Sequence, residues 1–281
     1  APLAVRGGAL RGDRHELAVA SGQVKTALTL AGLQAEGVTE IVEPAPSRDH
    51  TERMLAALGA PIERVNPSTL RVRSGGVAGF ELDVPGDPSS AAFFVVAATI
   101  VPGSSIVLED VGLNPGRVAY LDVLRRMGAR IEIEATGERV GEPVGSISVE
   151  AAPLRGTEIV GDEAIIDELP VLAVAGAYAE GTTTIHGAAE LAVKESNRIA
   201  TLEQELGQLG VEVESRPDGL VVQGGSPRGT TLKSHGDHRI AMCAAVAALG
   251  AEGESTIRGW KAVAVSYPGF ATDLAALRGG D

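Results

Sequence analysis

The sequence of 281 residues has one cysteine, 3% aromatic residues and an excess of acidic over basic side chains. A lone Cys243 cannot form an intramolecular disulfide, so a reducing cytosol is the default location. Its 24 Lys and Arg against 37 Asp and Glu, a net charge of -13, argue against a nucleic-acid surface, which needs a basic footprint and usually stacking rings. No apolar run approaches the roughly 18 residues of a membrane span. These absences, with 44% hydrophobic residues, predict a soluble globular protein with one large domain or two ordinary ones.

Four segments of the chain follow one pattern. Each has a polar residue, an Ala-rich apolar stretch, a Gly 14 positions after the polar residue and then a β-branched run. That interval is about four helical turns, which predicts a helix with the polar residue at its N-terminus and the glycine as its C-terminal cap. The predicted helices cover residues 23–37, 89–103, 167–181 and 239–253, and the strands after them residues 39–42, 104–108, 182–185 and 255–257.

Three of these segments continue with an amphipathic helix, a Gly and another strand. The second helices are predicted at 51–58, 118–127 and 195–209, and the strands after them at 61–65, 130–134 and 211–214. The repeated unit is therefore roughly βαβαββ. Its first helix is apolar nearly all round and must be buried, so the pattern predicts an α/β fold with helices inside and sheets outside.

Charge divides the chain near residues 79–85. Residues 1–79 carry 9 Lys and Arg against 8 Asp and Glu, whereas residues 80–281 carry 15 against 29. We interpret 1–79 as the last repeat unit of a first, incomplete domain and 80–281 as a second domain of three repeat units. Because the chain begins with Ala1 and its first 20 residues lack the apolar core of a signal peptide, we expect the native start to be missing.

The N-termini of the four apolar helices favour an anion. Their unpaired N–H groups and partial positive charge would form an anion-binding cleft if they converged. Capping alone accounts for Ser89, Ser90 and Asp167. It explains Arg239 poorly, because a cation opposes the helix dipole at that end. An anionic ligand at this terminus accounts for Arg239 better.

A second cationic pattern occurs at residues 194–198 (KESNR). On a helix, Lys194 and Arg198 share one face and Glu195 lies about 100° away. Two cations without an acidic partner between them suggest a phosphate or carboxylate ligand. The alternative is an ordinary solvated first turn. Residues 47–52 (SRDHTE) occupy the matching place in the first unit, where a local cap is the alternative.

The run at residues 235–239 (HGDHR) contains metal-ligand residue types, but only three of them, and a helical His-x-x-x-His pattern is absent. A metal site is therefore disfavoured. Cys243 lies within an apolar helix, which predicts a buried, inert thiol.

Seven stretches in family order give the chain a close resemblance to the 5-enolpyruvylshikimate-3-phosphate (EPSP) synthase family, also called 3-phosphoshikimate 1-carboxyvinyltransferases, over roughly the C-terminal two thirds. They are residues 20–25 (ASGQVK), 46–55 (PSRDHTERML), 85–91 (PGDPSSA), 166–170 (IDELP), 193–198 (VKESNR), 236–242 (GDHRIAM) and 266–270 (SYPGF).

The resemblance implies an inside-out α/β barrel-like enolpyruvyl transferase fold built from βαβαββ units. It also implies transfer of the enolpyruvyl group of phosphoenolpyruvate to the 5-hydroxyl of shikimate 3-phosphate, with release of phosphate. Such a step needs a base, an acid and positive groups for the anions. No metal or organic cofactor, nucleic acid or membrane is implied, and the family suggests a monomer when complete.

The resemblance also assigns residues. By family position, Asp167 is the proton acceptor and a shikimate contact, Glu195 its acid/base partner, and His238 a neighbour that steers Glu195 or the leaving phosphate. The residues implied for shikimate 3-phosphate are Ser21, Gly22, Gln23, Ser47, Asp167 and Lys194, and those for phosphoenolpyruvate are Gln23, Arg198 and Arg239.

Three positions depart from the family pattern, namely Asn197 (commonly Asp), Val265 (Lys in several members) and Glu190 (Asn in some). We expect the first to alter a salt bridge and the second to weaken a phosphoenolpyruvate contact. The family's amino-terminal cationic motifs have no counterpart here, so we expect a fragment with little or no activity alone. Two alternatives stay open: the sister transferase acting on UDP-N-acetylglucosamine, and a non-catalytic fragment that needs complementation.

Overall fold

The structure is a computed structural model that describes residues 2–278. Ala1 and residues 279–281, which belong to the first and second predicted domains, lie outside the described residues. No helix in residues 2–278 is long and apolar enough to cross a bilayer.

Contacts between Cα atoms divide the chain into two compact units. Unit 1 comprises residues 1–84 and 137–143, and unit 2 comprises residues 85–136 and 144–281. The assignment of 1–79 and 80–281 to repeat units of two enzyme domains stays a prediction.

Unit 1 contains one βαβαββ repeat. Its elements are β1 (Arg14–Glu16), α1 (Gly22–Gly32), β2 (Val38–Val42), α2 (His50–Ala57), β3 (Ile62–Asn66) and β4 (Thr69–Arg73). The strands form one sheet in the order β1-β2-β4-β3. Strand β1 is parallel to β2, whereas β4 is antiparallel to both β2 and β3.

Unit 2 continues the alternation of helices and strands. Its elements are α3 (Pro88–Ile100), β5 (Ser105–Gly112), α4 (Pro115–Arg126), β6 (Arg130–Arg139), β7 (Glu142–Glu150), β8 (Leu154–Arg155), β9 (Glu158–Val160), α5 (Leu169–Ala177), β10 (Ala179–Glu180), β11 (Thr182–His186), a 3-10 helix (Ala189–Val193), α6 (Arg198–Gln208), β12 (Glu212–Arg216), β13 (Gly219–Gln223), β14 (Thr231–Lys233), α7 (His238–Gly250), β15 (Thr256–Arg258), a second 3-10 helix (Trp260–Val265) and α8 (Phe270–Arg278). The sheet orders are β5-β7-β6, β12-β13-β11-β9, β14-β15 and β10-β8.

Helices α3, α5 and α7 form the centre of unit 2. Most of their side chains are buried, because Ala, Val, Leu and Phe occupy every face. The three helices pack against one another, and strands β5, β11, β13 and β14 contact them from outside. The predicted arrangement of helices inside and sheets outside is therefore confirmed for this unit.

Helix α1 does not follow that rule. Its buried residues are Lys25, Thr29 and Gly32, whereas Val24 and Leu30 are 47% and 48% exposed. The prediction that each first helix is buried all round is wrong for α1 as the structure describes it.

The predicted helix ends also need correction. The four glycines at 37, 103, 181 and 253 have positive φ angles of 94°, 81°, 86° and 91°, but they lie in the turns beyond the helices. The helices themselves end at Gly32, Ile100, Ala177 and Gly250. These glycines are conformationally required by the turns that lead into the next strand.

Candidate active site

A buried arginine connects the starts of α6 and α7 in unit 2. Arg198 is 1% exposed, and its Nε donates to Asp237 Oδ2 at 2.8 Å. Its Nη2 donates to Asp237 Oδ1 at 3.3 Å and to Glu195 Oε2 at 2.5 Å. Two guanidinium donors therefore meet one carboxylate in the bidentate geometry that fixes both groups.

Capping residues place Arg198 and Asp237 at these helix starts. Asn197 Oδ1 accepts from Ala200 N at 3.2 Å and caps α6. Asp237, which is fully buried, caps α7 by accepting from Arg239 N at 2.8 Å. Burial would raise the pKa of Asp237, but the hydrogen bonds and charge of Arg198 hold it below its usual value.

Asp167 lies between two guanidinium groups. Its Oδ1 is 3.9 Å from Arg198 Nη1, and its Oδ2 is 3.7 Å from Arg239 Nη2. Arg239 Nη1 also donates to the backbone oxygen of Asp167 at 2.9 Å. The cations predicted for one anion thus converge on Asp167.

The predicted pairing of Lys194 with Arg198 on one helix face is wrong. Helix α6 begins at Arg198, and Lys194 is extended, with φ -78° and ψ -158°. Lys194 Nζ pairs with Glu190, whereas Arg198 pairs with Glu195 and Asp237. Both cations therefore have acidic partners, which the sequence pattern did not indicate.

His238, the first residue of α7, is half-buried. Burial, followed by the positive charge of Arg239, lowers the pKa of its imidazole below the usual 6.5. A lowered pKa in the folded state means that the unfolded state binds the proton more tightly. The stability that neutral His238 contributes is therefore present above about pH 6.5 and is lost as the pH falls through the folded-state pKa.

We expect the His238 ring to titrate with a midpoint below 6.5 in an NMR titration of the whole chain. Arg239→Met should raise that midpoint, because it removes the nearby positive charge. The signal can be assigned with His238→Asn. A midpoint at or above 6.5 in the wild-type protein would contradict this prediction.

In unit 1, the predicted residues Ser21, Gly22 and Gln23 come together at the start of α1. Ser21 Oγ accepts from Val24 N at 3.4 Å, as a weak N-cap, and donates to Gln23 Oε1 at 3.3 Å. A Cβ on Gly22 would lie 3.5 Å from Arg48 Cβ. The Cβ atom of Arg48, which belongs to the run at residues 47–52, therefore lies beside the start of α1.

Ser47 belongs to a buried ionic cluster in the same unit. Its hydroxyl donates to Glu43 Oε1, and its backbone oxygen accepts from Lys25 Nζ at 3.3 Å. Lys25 is 1% exposed and lies 2.9 Å from Glu43 Oε2 and 2.8 Å from Glu52 Oε1. Sequence reasoning missed this cluster; the one signal was a lysine in an otherwise apolar stretch of α1.

The remaining candidate residues and one cavity have the following surroundings. Among residues 2–278, no group of three His, Cys, Asp or Glu side chains is placed to hold a metal. His235 Nε2 instead contacts Glu205 Oε1 at 2.6 Å. Cys243 is buried as predicted, and burial raises the pKa of its thiol. A cavity of about 400 Å³ beside α3 and α8 has Asp87, Glu109 and Asp273, but no Lys or Arg, among the described residues that line it.

Comparison with known proteins decides the family. The family model for EPSP synthase (3-phosphoshikimate 1-carboxyvinyltransferase) matches residues 1–274. The chain belongs to the EPSP synthase family.

Relatives named 3-phosphoshikimate 1-carboxyvinyltransferase support this membership. The Synechococcus sp. (strain JA-3-3Ab) protein is 54% identical over 282 residues, covering 99% of this chain and 64% of the relative. The Desulforudis audaxviator (strain MP104C) protein is 53% identical, covering 99% and 66%. The chain thus spans slightly less than two thirds of the EPSP synthase relatives it matches.

Solved structures agree on the fold. EPSP synthase from Acinetobacter baumannii has a TM-score of 0.89 at 41% identity, covering 95% of this chain and 62% of that structure. The enolpyruvyl transferase NikO from Streptomyces tendae has a TM-score of 0.75 at 26% identity, covering 92% and 59%. The predicted inside-out α/β fold is confirmed, and the sister activity on UDP-N-acetylglucosamine receives no support.

The three departures from the EPSP synthase pattern have different surroundings. Asn197 caps α6 through its side-chain oxygen. Val265 ends the second 3-10 helix and is 80% exposed. Glu190 is the partner of Lys194, the predicted phosphate contact.

Proposed function

We propose that this protein transfers the enolpyruvyl group of phosphoenolpyruvate to the 5-hydroxyl of shikimate 3-phosphate, as a transferase of the EPSP synthase type. The observation that carries the proposal is the family match over residues 1–274. The convergence of Arg198 and Arg239 on Asp167 supports it, because it brings residues assigned to the two substrates close together.

The proposed chemistry assigns a proton transfer to each of two carboxylates. Asp167 accepts the proton of the 5-hydroxyl while the hydroxyl oxygen bonds to C2 of phosphoenolpyruvate. Glu195 donates a proton to the methylene carbon of phosphoenolpyruvate. The methyl carbon then loses one proton and C2 loses phosphate, which forms the double bond of the enol ether. The Glu195 side chain is 51% exposed and contacts Arg198, one of the residues assigned to phosphoenolpyruvate. We assign His238 to steering Glu195 or the leaving phosphate.

We assign shikimate 3-phosphate to Ser21, Gly22, Gln23, Ser47, Asp167 and Lys194, and phosphoenolpyruvate to Gln23, Arg198 and Arg239. The Ser47 hydroxyl donates to Glu43, so a bond to phosphate requires its proton to turn away from that carboxylate. Lys25 then keeps Glu43 paired. No cofactor is assigned, and the cytoplasmic location, the monomeric state and the domain assignment stay predictions.

The charges of the cluster formed by Arg198, Arg239 and their carboxylate partners support the expectation that this chain has low activity alone. Arg198 and Arg239 provide two positive charges, and they contact the carboxylates of Asp167, Glu195 and Asp237. The cluster therefore has no surplus positive charge for two anionic substrates. Cations from outside it would have to supply that charge.

The test is phosphate release from phosphoenolpyruvate plus shikimate 3-phosphate. The chain is assayed alone and with the segment of the Synechococcus relative that it does not match. We expect release only in the mixture. Phosphate release by the chain alone would refute the expectation that cations from outside the cluster are essential. No phosphate release in either assay would favour a non-catalytic fragment.

Stabilisation by a bound ligand provides an independent test of which substrate the chain binds. Shikimate 3-phosphate at 100 times its dissociation constant should stabilise the fold by about 2.7 kcal/mol. Glu190→Asn should bind it up to roughly fivefold more tightly, because it frees Lys194 from an exposed ion pair, and Lys194→Met should remove that gain. Stabilisation by UDP-N-acetylglucosamine instead would contradict the proposal.

A further inference from the structure

His235 is a non-glycine residue whose backbone adopts the left-handed conformation, with φ 52°. It belongs to the loop before α7, residues 234–237, which joins β14 to that helix. Histidine adopts this conformation more often than most residues do, but the conformation still carries backbone strain. Strain of this kind persists only where the surrounding structure holds it in place. The contacts of the loop therefore show what holds His235.

A buried glutamate of α6 binds this part of the chain at two points. Glu205 is 5% exposed. Its Oε1 lies 2.6 Å from His235 Nε2, and its Oε2 accepts from the backbone nitrogen of Lys233 at 2.7 Å. Because a carboxylate only accepts hydrogen bonds, Nε2 is the protonated nitrogen of this imidazole. One oxygen of Glu205 thus holds the end of β14, and the other holds the loop before α7.

Helix α6 contacts the same loop a second time, nearer to its own start. Arg198 Nε donates to Asp237 Oδ2 at 2.8 Å. Glu205 follows Arg198 by seven residues, which is about two helical turns, so both side chains lie on one face of α6. The loop is therefore held at both ends, by Glu205 at His235 and by Arg198 at Asp237.

The loop before α7 leads directly into His238 and Arg239. The backbone nitrogen of Asp237 donates to the Ser234 oxygen at 2.9 Å, and that of Arg239 donates to Asp237 Oδ1 at 2.8 Å. The path of the loop therefore sets where the first turn of α7 lies. From that turn, Arg239 Nη1 reaches the backbone oxygen of Asp167 at 2.9 Å. A displaced loop would move the Arg239 guanidinium relative to Asp167.

We infer that Glu205 and His235 are positioning residues, whose hydrogen bond fixes the loop before α7 and thereby places Arg239 for phosphoenolpyruvate. This inference rests on the proposed function for the identity of the ligand. It requires a donor at the place of His235 Nε2, and a backbone that adopts the left-handed conformation is not sufficient by itself. None of the residues assigned to shikimate 3-phosphate lies within residues 233–239, so the hydrogen bond should affect the two substrates differently.

The test separates the hydrogen bond from the backbone conformation at position 235. His235→Gly and His235→Asn suit the left-handed conformation but lack a donor at the place of Nε2. His235→Gln keeps an amide nitrogen that can donate to Glu205. The matched control is His186→Ala, because His186 Nε2 lies 2.9 Å from Glu158 Oε1 in a pair whose side chains are 40% and 73% exposed.

Two measurements are made on the full chain, after circular dichroism has shown that each variant is folded. Calorimetry measures the affinities for phosphoenolpyruvate and for shikimate 3-phosphate. Amide hydrogen exchange of Asp237 and Arg239 measures the order of the loop and of the start of α7 without any ligand.

We expect His235→Gly and His235→Asn to bind phosphoenolpyruvate roughly tenfold more weakly and shikimate 3-phosphate within about twofold of the wild type. Exchange at Asp237 and Arg239 should be roughly tenfold faster in both variants. His235→Gln and His186→Ala should resemble the wild type in both measurements. Wild-type phosphoenolpyruvate affinity in His235→Gly, equal weakening of both substrates, or a loss in His235→Gln as large as in His235→Gly would overturn the inference.

The exchange measurement distinguishes failure of this inference from failure of the proposed function. Should the wild-type chain bind no phosphoenolpyruvate, the proposed function fails. Faster exchange in His235→Gly and His235→Asn, but not in His235→Gln, would still support the positioning of Arg239 by the Glu205 contact. Unchanged exchange in the first two variants would refute it.

Discussion

Replacing Arg198 by methionine is expected to lower the free energy of unfolding of unit 2 by about 3 to 5 kcal/mol. Methionine preserves most of the side-chain length but leaves Asp237, which is fully buried, without its cationic partner. An uncompensated buried carboxylate is strongly destabilising. The variant should also lose phosphoenolpyruvate binding, because it removes one of the two guanidinium groups that we assign to that substrate.

Trp260, the single tryptophan, lies in unit 2 and reports its unfolding in urea by fluorescence. The matched control is Arg216→Met, since Arg216 is 49% exposed and lies 3.7 Å from Glu214. Its loss should change stability by less than about 1 kcal/mol. Asp237→Asn keeps an oxygen for capping α7 and removes the charge, so combining it with Arg198→Met should recover part of the loss. A decrease for Arg198→Met no larger than the control would refute the structural role.

The sequence pattern predicted the buried helices of unit 2 because their apolar residues cover every face. It could not predict which cations have protein partners. The interpretation of Lys194 and Arg198 as one helical face assumed that the helix already included residue 194. Asn197, a preferred N-cap residue, indicates a start at Arg198, and the structure has that start.

Long-range partners explain the other omissions. Asp237 lies 39 residues from Arg198 along the chain, so no local pattern could pair them. Arg239 and the backbone oxygen of Asp167 likewise lie 72 residues apart along the chain. The resemblance to the EPSP synthase family predicted site residues from their positions in the sequence. The hydrogen bonds that orient those residues depend on tertiary packing, which the sequence pattern does not show.

The two ionic clusters share a physical principle. Each holds a buried cation between carboxylates, Arg198 in unit 2 and Lys25 in unit 1. Such a cluster is weak evidence for net stability, since desolvation opposes the attraction. It does fix the side chains around it, and preorganised polar groups are what an anion-binding site needs.

Lys25→Met is expected to lower the stability of unit 1 by about 3 to 5 kcal/mol. Lys25 is the cation that contacts both Glu43 and Glu52. Without it, Glu52 keeps its 3.2 Å contact with Arg64 Nη2, whereas Glu43 keeps the hydroxyl of Ser47.

Amide hydrogen exchange in β2 and β4 measures this effect within unit 1, which Trp260 does not report. Arg73→Met is the matched control in the same sheet, since Arg73 is 56% exposed and 4.0 Å from Glu63. Lys25→Met combined with Glu43→Gln should regain part of the protection, because the carboxylate left without a cationic partner is removed. If protection in Lys25→Met equals that in Arg73→Met, the buried cluster does not hold unit 1 together. Because Lys25 also contacts the backbone of Ser47, the same variant should weaken shikimate 3-phosphate binding, and the double variant should not restore it.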